Sequence, residues 1–259
     1  MPLGHNPVPA LEDMPIIDRE EAGWLEVHDC ALLLEAARLL PRSHRRMIPF
    51  AYPLVSTFPL TGGRQDEVFS LQVEDVSFER KTVYFGPNEF RRGKKGKTRH
   101  AARIVPLMPQ LEEILGEYLL SHPPSNLLFP SWVNGEEHRL TDIRKVLGLV
   151  TKFAGLPRIT TKHLRHTYCS ARLQTMDRGE PVSLDTVRRE MGHGDEWLVR
   201  NVYGHLGQIR HRRPVVEYPV DQHLDVLGDR LGSLRARVTG TTCDTAQGTI
   251  LSPRWDPDA

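Results

Sequence analysis

Cysteine is scarce in this chain: Cys30, Cys169 and Cys243 are the three among 259 residues. They lie far apart, are odd in number and form no CxxC pair, which argues against a disulfide framework and leaves reduced, structural thiols as the expectation. Long apolar runs are lacking as well. No stretch reaches the roughly eighteen apolar residues of a membrane-spanning helix, and the first residues hold no basic segment leading into an apolar one. A cytoplasmic location is therefore expected, with no membrane partner. An excess of charge of one sign is also missing: 34 Lys and Arg against 33 Asp and Glu leave a formal net charge of +1, so the global field announces no particular partner. Internal repeats are absent. What is present is the composition of an ordinary globular protein, 39% hydrophobic and 26% charged, in a chain long enough to bury a core as one large or two small domains.

Local charge says more than net charge. Residues 91–103 read RRGKKGKTRHAAR without an acid, and a second basic run covers residues 208–213. Each Lys or Arg that meets a phosphate releases condensed counterions, so such runs suit nucleic acid. Arg91, Arg92, Lys94, Lys95 and Arg99 are the candidate DNA-binding cations of the first run.

The pattern along the chain predicts a mainly helical α+β protein with a small three-stranded antiparallel sheet. Residues 1–25, rich in proline and acids, read as a linker or flexible tail. Residues 28–40 carry a helical apolar stripe with Asp29 as a candidate N-cap, and a second apolar segment over 47–60 ends at Thr61-Gly62-Gly63, where glycine stops a helix and opens a turn. After a short helical stretch at 67–71, residues 73–78 and 82–85 alternate as strands around a turn at 79–81, and residues 103–107 form the third strand, ended by proline. Two amphipathic helices follow, one bearing Leu111, Ile114, Leu115, Tyr118 and Leu119, the other Ile143, Val146, Leu147, Val150 and Phe153 behind a Thr141 N-cap. Three more helices are expected over 162–176, 183–191 and 196–206. From Gly232 onward the chain is polar, Gly/Thr-rich and aperiodic, which predicts a flexible tail. The main domain thus spans 26–220, with a C-terminal helix and largely flexible tail over 221–259.

Four residues in this order suggest a chemistry: Arg64, Arg165, His193 and Tyr203. A phenol with an unperturbed pKa of about 10 can attack phosphorus only when activated. The pentacoordinate phosphorane gains charge on its non-bridging oxygens that planar guanidiniums pair with in bidentate fashion, and a cation must protonate the departing oxygen. Taken singly, each residue reads as readily as a salt-bridge partner or a core tyrosine. His163, His166 and Cys169 also share helical spacing, but no fourth ligand is placed, so no metal site is assigned.

The segments TGGRQDEVFSLQVEDV (61–76), KTRHAARIVPL (97–107), TKHLRHTYCSARL (161–173) and MGHGDEWLVRNVYGHL (191–206) together resemble the tyrosine recombinase (phage integrase) family, over roughly residues 25–218. The resemblance implies a DNA strand transferase working without metal or cofactor. Arg64 and Arg165 would hold the scissile phosphate, His193 would hydrogen-bond it, and Tyr203 would form a 3′-phosphotyrosyl bond. Lys97 would be the general acid on a hairpin reaching the minor groove, with Lys94 and Lys95 as competing choices. Glu67 matches a position that is usually structural. The partners implied are double-stranded DNA and a homotetramer in the synaptic complex, with no small-molecule ligand.

Two departures stand out. The family's histidine three residues before the second arginine is Lys162 here, and His163 points about 100° away on a helix. Only residues 1 to about 25 precede the domain, where family members usually carry a helical core-binding domain. Weak, salt-sensitive DNA binding by this chain alone is the expectation. These departures keep open a DNA-binding protein of the same fold without strand transfer; the second alternative is a type IB topoisomerase-like enzyme that relaxes DNA as a monomer. In a recombinase the segment Val215-Val216-Glu217-Tyr218 is expected to pack on a neighbouring protomer.

Overall fold

The structure is a computed structural model and describes residues 23–40, 49–90, 102–177, 179–194, 199 and 214–242. At its centre lies α2 (Ala51–Thr61), whose sequence AYPLVSTFPLT is apolar all round, so every residue but Tyr52 is buried. Such a helix can only be interior. It is enclosed by α1 (Val27–Leu39), α4 (Pro109–Leu119) and α6 (Thr161–Leu173), with α5 (Arg144–Ala154) against α1. Pro59 removes a backbone donor from its last turn; there Thr61 Oγ1 donates to Thr57 O at 2.5 Å, and the Tyr218 hydroxyl donates to Pro59 O at 3.2 Å.

The three-stranded antiparallel sheet has the order β1 (Val76–Ser77), β2 (Thr82–Phe85), β3 (Arg103–Pro106). Val83 faces Val105 and Tyr84 faces Ile104 across β2 and β3. Pleating buries Val83, Phe85, Arg103 and Val105 and turns Tyr84 and Ile104 outward. The first strand is shorter than the alternation over 73–78 predicts. Residues Val73–Asp75 form a 3₁₀ turn instead, because the Asp75 carboxylate accepts the Gln72 N–H at 2.9 Å while Val73 N donates to Asn126 O at 2.9 Å.

Several other expectations are corrected. Asp29 does not cap α1: the N-cap is Glu26, and Asp29 instead pairs with Arg230 at 2.8 Å. Thr141 does not cap α5, which starts behind Ile143, with Asp142 Oδ1 accepting from Arg144 N at 2.8 Å. Two hairpins were not expected, β4 (Pro130–Val133) with β5 (Glu136–Arg139), and β6 (Met176–Asp177) with β7 (Glu180–Pro181). After α7 (Leu184–Met191), the last element described is α8 (Leu224–Thr242). It continues through Gly232, where a flexible tail was expected, because Leu227, Leu231 and Leu234 are buried on one stripe and Arg235 reaches Glu35 of α1 at 3.3 Å. Val216 and Tyr218 are buried in this chain's own core rather than on a neighbour. Leu25, expected in the tail, is buried too, and its N–H donates to Thr167 Oγ1 at 2.9 Å. Among the described residues no helix is long and apolar enough to cross a membrane.

Candidate active site

The site starts where α2 stops. Gly62 caps α2 in the left-handed conformation, φ 65°, donating to Phe58 O at 2.9 Å. A β-carbon there would lie 2.5 Å from Tyr168 Cδ1, and one on Gly63 would lie 2.6 Å from Val68 Cγ2. The glycine pair thus lets the chain pass between α6 and the sheet. Arg64 is delivered to the N-cap of α3 (Gln65–Phe69).

Three of the residues singled out in the sequence meet here. Arg64 donates from Nη1 to Glu67 Oε1 at 2.9 Å and from Nη2 to Gly192 O at 3.1 Å, with 41% of its side chain exposed. Arg165 comes from α6 and is buried. It donates to Gly62 O and Met191 O, and its Nη2 lies 3.1 Å from His193 Nε2. A guanidinium only donates, so Nε2 accepts and the ring proton sits on Nδ1. His193 is placed by Gly192, the left-handed C-cap of α7, and by its own N–H, which donates to Arg188 O at 3.0 Å.

Burial lowers the Arg165 pKa to about 9, helped by the neighbouring charges of Arg64 and Arg103. It still carries its proton at neutral pH. Burial, then Arg165, Arg64 and Arg103, depress His193 to about 4, so that ring is neutral and can accept. Cations concentrated on a half-enclosed wall make a place for an anion with delocalised charge.

Lys162 is exposed at the first turn of α6. His163, its neighbour, is committed to the helix start: its Nδ1 accepts the Thr160 N–H at 3.1 Å and lies 2.8 Å from Thr160 Oγ1. His166 is half-buried and its pKa falls to about 4, through burial first and then Lys162 and Arg165. Cys169 sits in the core, its thiol pushed up to about 12 by burial, which keeps it protonated and a poor ligand or nucleophile. Lys97, Tyr203 and the cations Arg91, Arg92, Lys94, Lys95 and Arg99 lie outside the described residues.

Behind the site stands a network that the sequence alone did not reveal. Arg103, on β3, donates from Nη1 and Nη2 to Glu67 at 2.9 and 2.7 Å, and from Nε to Glu190 O at 2.6 Å. Its guanidinium carbon lies 4.7 Å from the Phe85 ring centroid. Burial alone would raise the Glu67 pKa, but the hydrogen bonds and charges of Arg103 and Arg64 hold it far below the usual carboxylate range. The Glu190 carboxylate accepts from Tyr168 Oη and from Nε and Nη2 of Arg172, each at 2.8 Å. A signal for Arg103 existed: two residues before the inward Val105, it shares that residue's face.

Comparison with known proteins agrees with this geometry. Residues 24–208 match the model of the phage integrase family. A tyrosine recombinase from Pseudothermotoga lettingae is 30% identical over 177 residues, covering 65% of this chain and 56% of that protein. The crystal structure of XerA recombinase superposes with a TM-score of 0.54 at 25% identity, covering 73% of this chain and 62% of that one. A variant of the Tn1549 transposon integrase in complex with a circular intermediate DNA has the same fold, with a TM-score of 0.58 at 19% identity over 75% of this chain and 65% of that one. The chain spans about half the length of the curated relatives it matches, 45% and 56%. With the family model covering most of the chain and these arginines converging where its motifs lie, the protein belongs to the phage integrase family of tyrosine recombinases.

Proposed function

We propose that this chain is the catalytic part of a site-specific DNA recombinase that cleaves and rejoins double-stranded DNA through Tyr203. The observation that carries this reading is the convergence of Arg64, Arg165 and neutral His193 on one turn, Met191 to His193. The scissile phosphate docks against that wall, exchanging carbonyl acceptors for its non-bridging oxygens. The Tyr203 oxygen attacks phosphorus in line as its phenol proton passes to water, the bond from phosphorus to the 5′ oxygen breaks, and Lys97 gives that oxygen its proton. Lys162, exposed on the first turn of α6, donates to the same phosphate. The phosphodiester energy is kept in the 3′-phosphotyrosine, so rejoining is the reverse transesterification and draws on no nucleotide hydrolysis.

Arg91, Arg92, Lys94, Lys95 and Arg99 supply phosphate contacts on the DNA backbone. Strand exchange takes four copies on two duplexes, since each active site carries one nucleophile for one strand. A nicked suicide substrate tests the reading: the parent protein gives a covalent protein–DNA adduct and Tyr203→Phe gives none. Binding without adduct from the parent would instead favour a DNA-binding protein of this fold. Relaxation of supercoils without strand exchange would favour the topoisomerase-like alternative.

A further inference from the structure

We propose that Arg103 is a positioning residue that keeps the Arg64 guanidinium available to phosphate by occupying Glu67; this rests on the role given to Arg64 above. Glu67 is buried and offers two oxygens to two arginines. Arg103 takes both, Oε1 at 2.9 Å and Oε2 at 2.7 Å. Arg64 is left one side-chain contact, Nη1 to Oε1 at 2.9 Å, its other bond to Glu67 coming from the backbone N–H at 2.8 Å. An arginine facing an otherwise free carboxylate closes on it fork to fork. Without Arg103, that is where Arg64 goes, and the edge that would meet a phosphate is spent on Glu67.

The third edge of Arg103 serves the same end. Its Nε holds Glu190 O at 2.6 Å, and the next two carbonyls of that turn, Met191 O and Gly192 O, are the acceptors of Arg165 and Arg64. One guanidinium therefore fixes both supports of Arg64, the carboxylate and the carbonyl. Charge points the same way. With Arg103 present, one buried carboxylate faces two cations and Arg64 keeps net attraction for an anion; with Arg103 gone, Glu67 cancels Arg64 in a poorly screened setting. Arg103 touches neither nucleophile nor phosphate in this scheme and acts through Glu67.

The test compares Arg103→Met with the double variant Arg103→Met/Glu67→Gln on the nicked suicide substrate, with Tyr203→Phe as the blank. The rate of adduct formation falls on the order of 100-fold in Arg103→Met, the scale of a misplaced catalytic group. It recovers about 10-fold when Glu67 is made neutral and can no longer trap Arg64 as an ion pair. A scaffold-only role predicts no recovery, because removing a second partner loosens the network further. An unchanged rate in Arg103→Met, or no recovery while both variants melt cooperatively, overturns the proposal. If Arg103→Met does not fold, Arg103→Lys, with and without Glu67→Gln, carries the same comparison. A crystal structure of the DNA-free single variant reads the positioning directly: Arg64 bidentate on Glu67 supports it, and Arg64 unmoved overturns it. If the parent protein gives no adduct, the recombinase reading falls and this structural arm alone decides the role of Arg103.

Discussion

Arg64 and Arg165 are the same residue type around the same turn, yet they are bound in opposite ways. Arg165 is 8% exposed and spends its donors on Gly62 O, Met191 O and His193. Arg64 keeps 41% of its side chain exposed and makes single contacts to Glu67 and Gly192. A buried arginine with both terminal nitrogens engaged holds chain segments together. A half-exposed one whose partners are held by other residues can change partners at little cost. Arg165 joins the end of α2 to the end of α7, whereas Arg64 presents the more exposed guanidinium.

The sharpest way to break this contrast is Arg165→Met. It strips donors from three acceptors at once, each loss costing roughly 1–3 kcal/mol when buried, so stability falls by about 3–5 kcal/mol. Urea denaturation measures it, and a loss below about 1 kcal/mol would put Arg165 on the same footing as Arg64.

Next comes Gly62→Ala. The φ of 65° and the 2.5 Å approach to Tyr168 make a methyl group strained and crowded there, at a cost of about 2–4 kcal/mol. Because Gly62 O holds Arg165, adduct formation falls along with the melting temperature. An alanine variant as stable as the parent would show that this turn has room to move.

The pH dependence sharpens the comparison, because burial first and the Arg165 charge after it lower two neighbouring histidines, with Arg64 adding to the effect on His193. His193 and His166 have folded pKa values of about 4 against an ordinary 6.5. Between those values the unfolded chain binds more protons, so stability falls as pH drops from about 6.5 to about 4. Glu67, held below its ordinary 4.5, keeps its contribution down to about that value and loses it as pH falls further. Denaturation curves at stepped pH should show the upper limb, and His193→Gln should flatten it.

The smallest stability effect belongs to Arg64→Gln. Glu67 retains both bonds to Arg103, so the loss is about 1 kcal/mol or less, while adduct formation drops on the order of 100-fold or more. A large fall in melting temperature would make Arg64 a structural arginine like its partner.

How legible this was in the sequence depended on the range of the interaction that decides each feature. The apolar α2, the glycine turn after it and the stripes of α4 and α5 follow from local periodicity and turn chemistry, and the order of Arg64, Arg165 and His193 was readable as motif. Asn134-Gly135 is a hairpin signal, its residues at φ 53° and 80°, and the pattern of β4 and β5 around it could have been read. The end of α8 was not legible, because three leucines in a polar stretch become a stripe only when α1 offers a surface. Nor was the role of Arg103, whose partners Glu67 and Glu190 lie 36 and 87 residues away. The His163 capping bond competes with every other use of that ring, and only the helix start at Thr161 reveals it. Lys97, Tyr203 and the five loop cations lie outside the described residues.

The acceptors that hold the two arginines are, apart from Glu67 and His193, backbone carbonyls of Gly62, Met191 and Gly192. No side-chain replacement deletes a carbonyl. An alanine scan would therefore find the arginines and miss the wall they lean on, registering it only at the glycines, through geometry rather than lost chemistry. Backbone ester substitution, which weakens a carbonyl as an acceptor without altering shape, is the probe suited to that wall. The same property lets side chains around the turn vary while the pocket keeps its form.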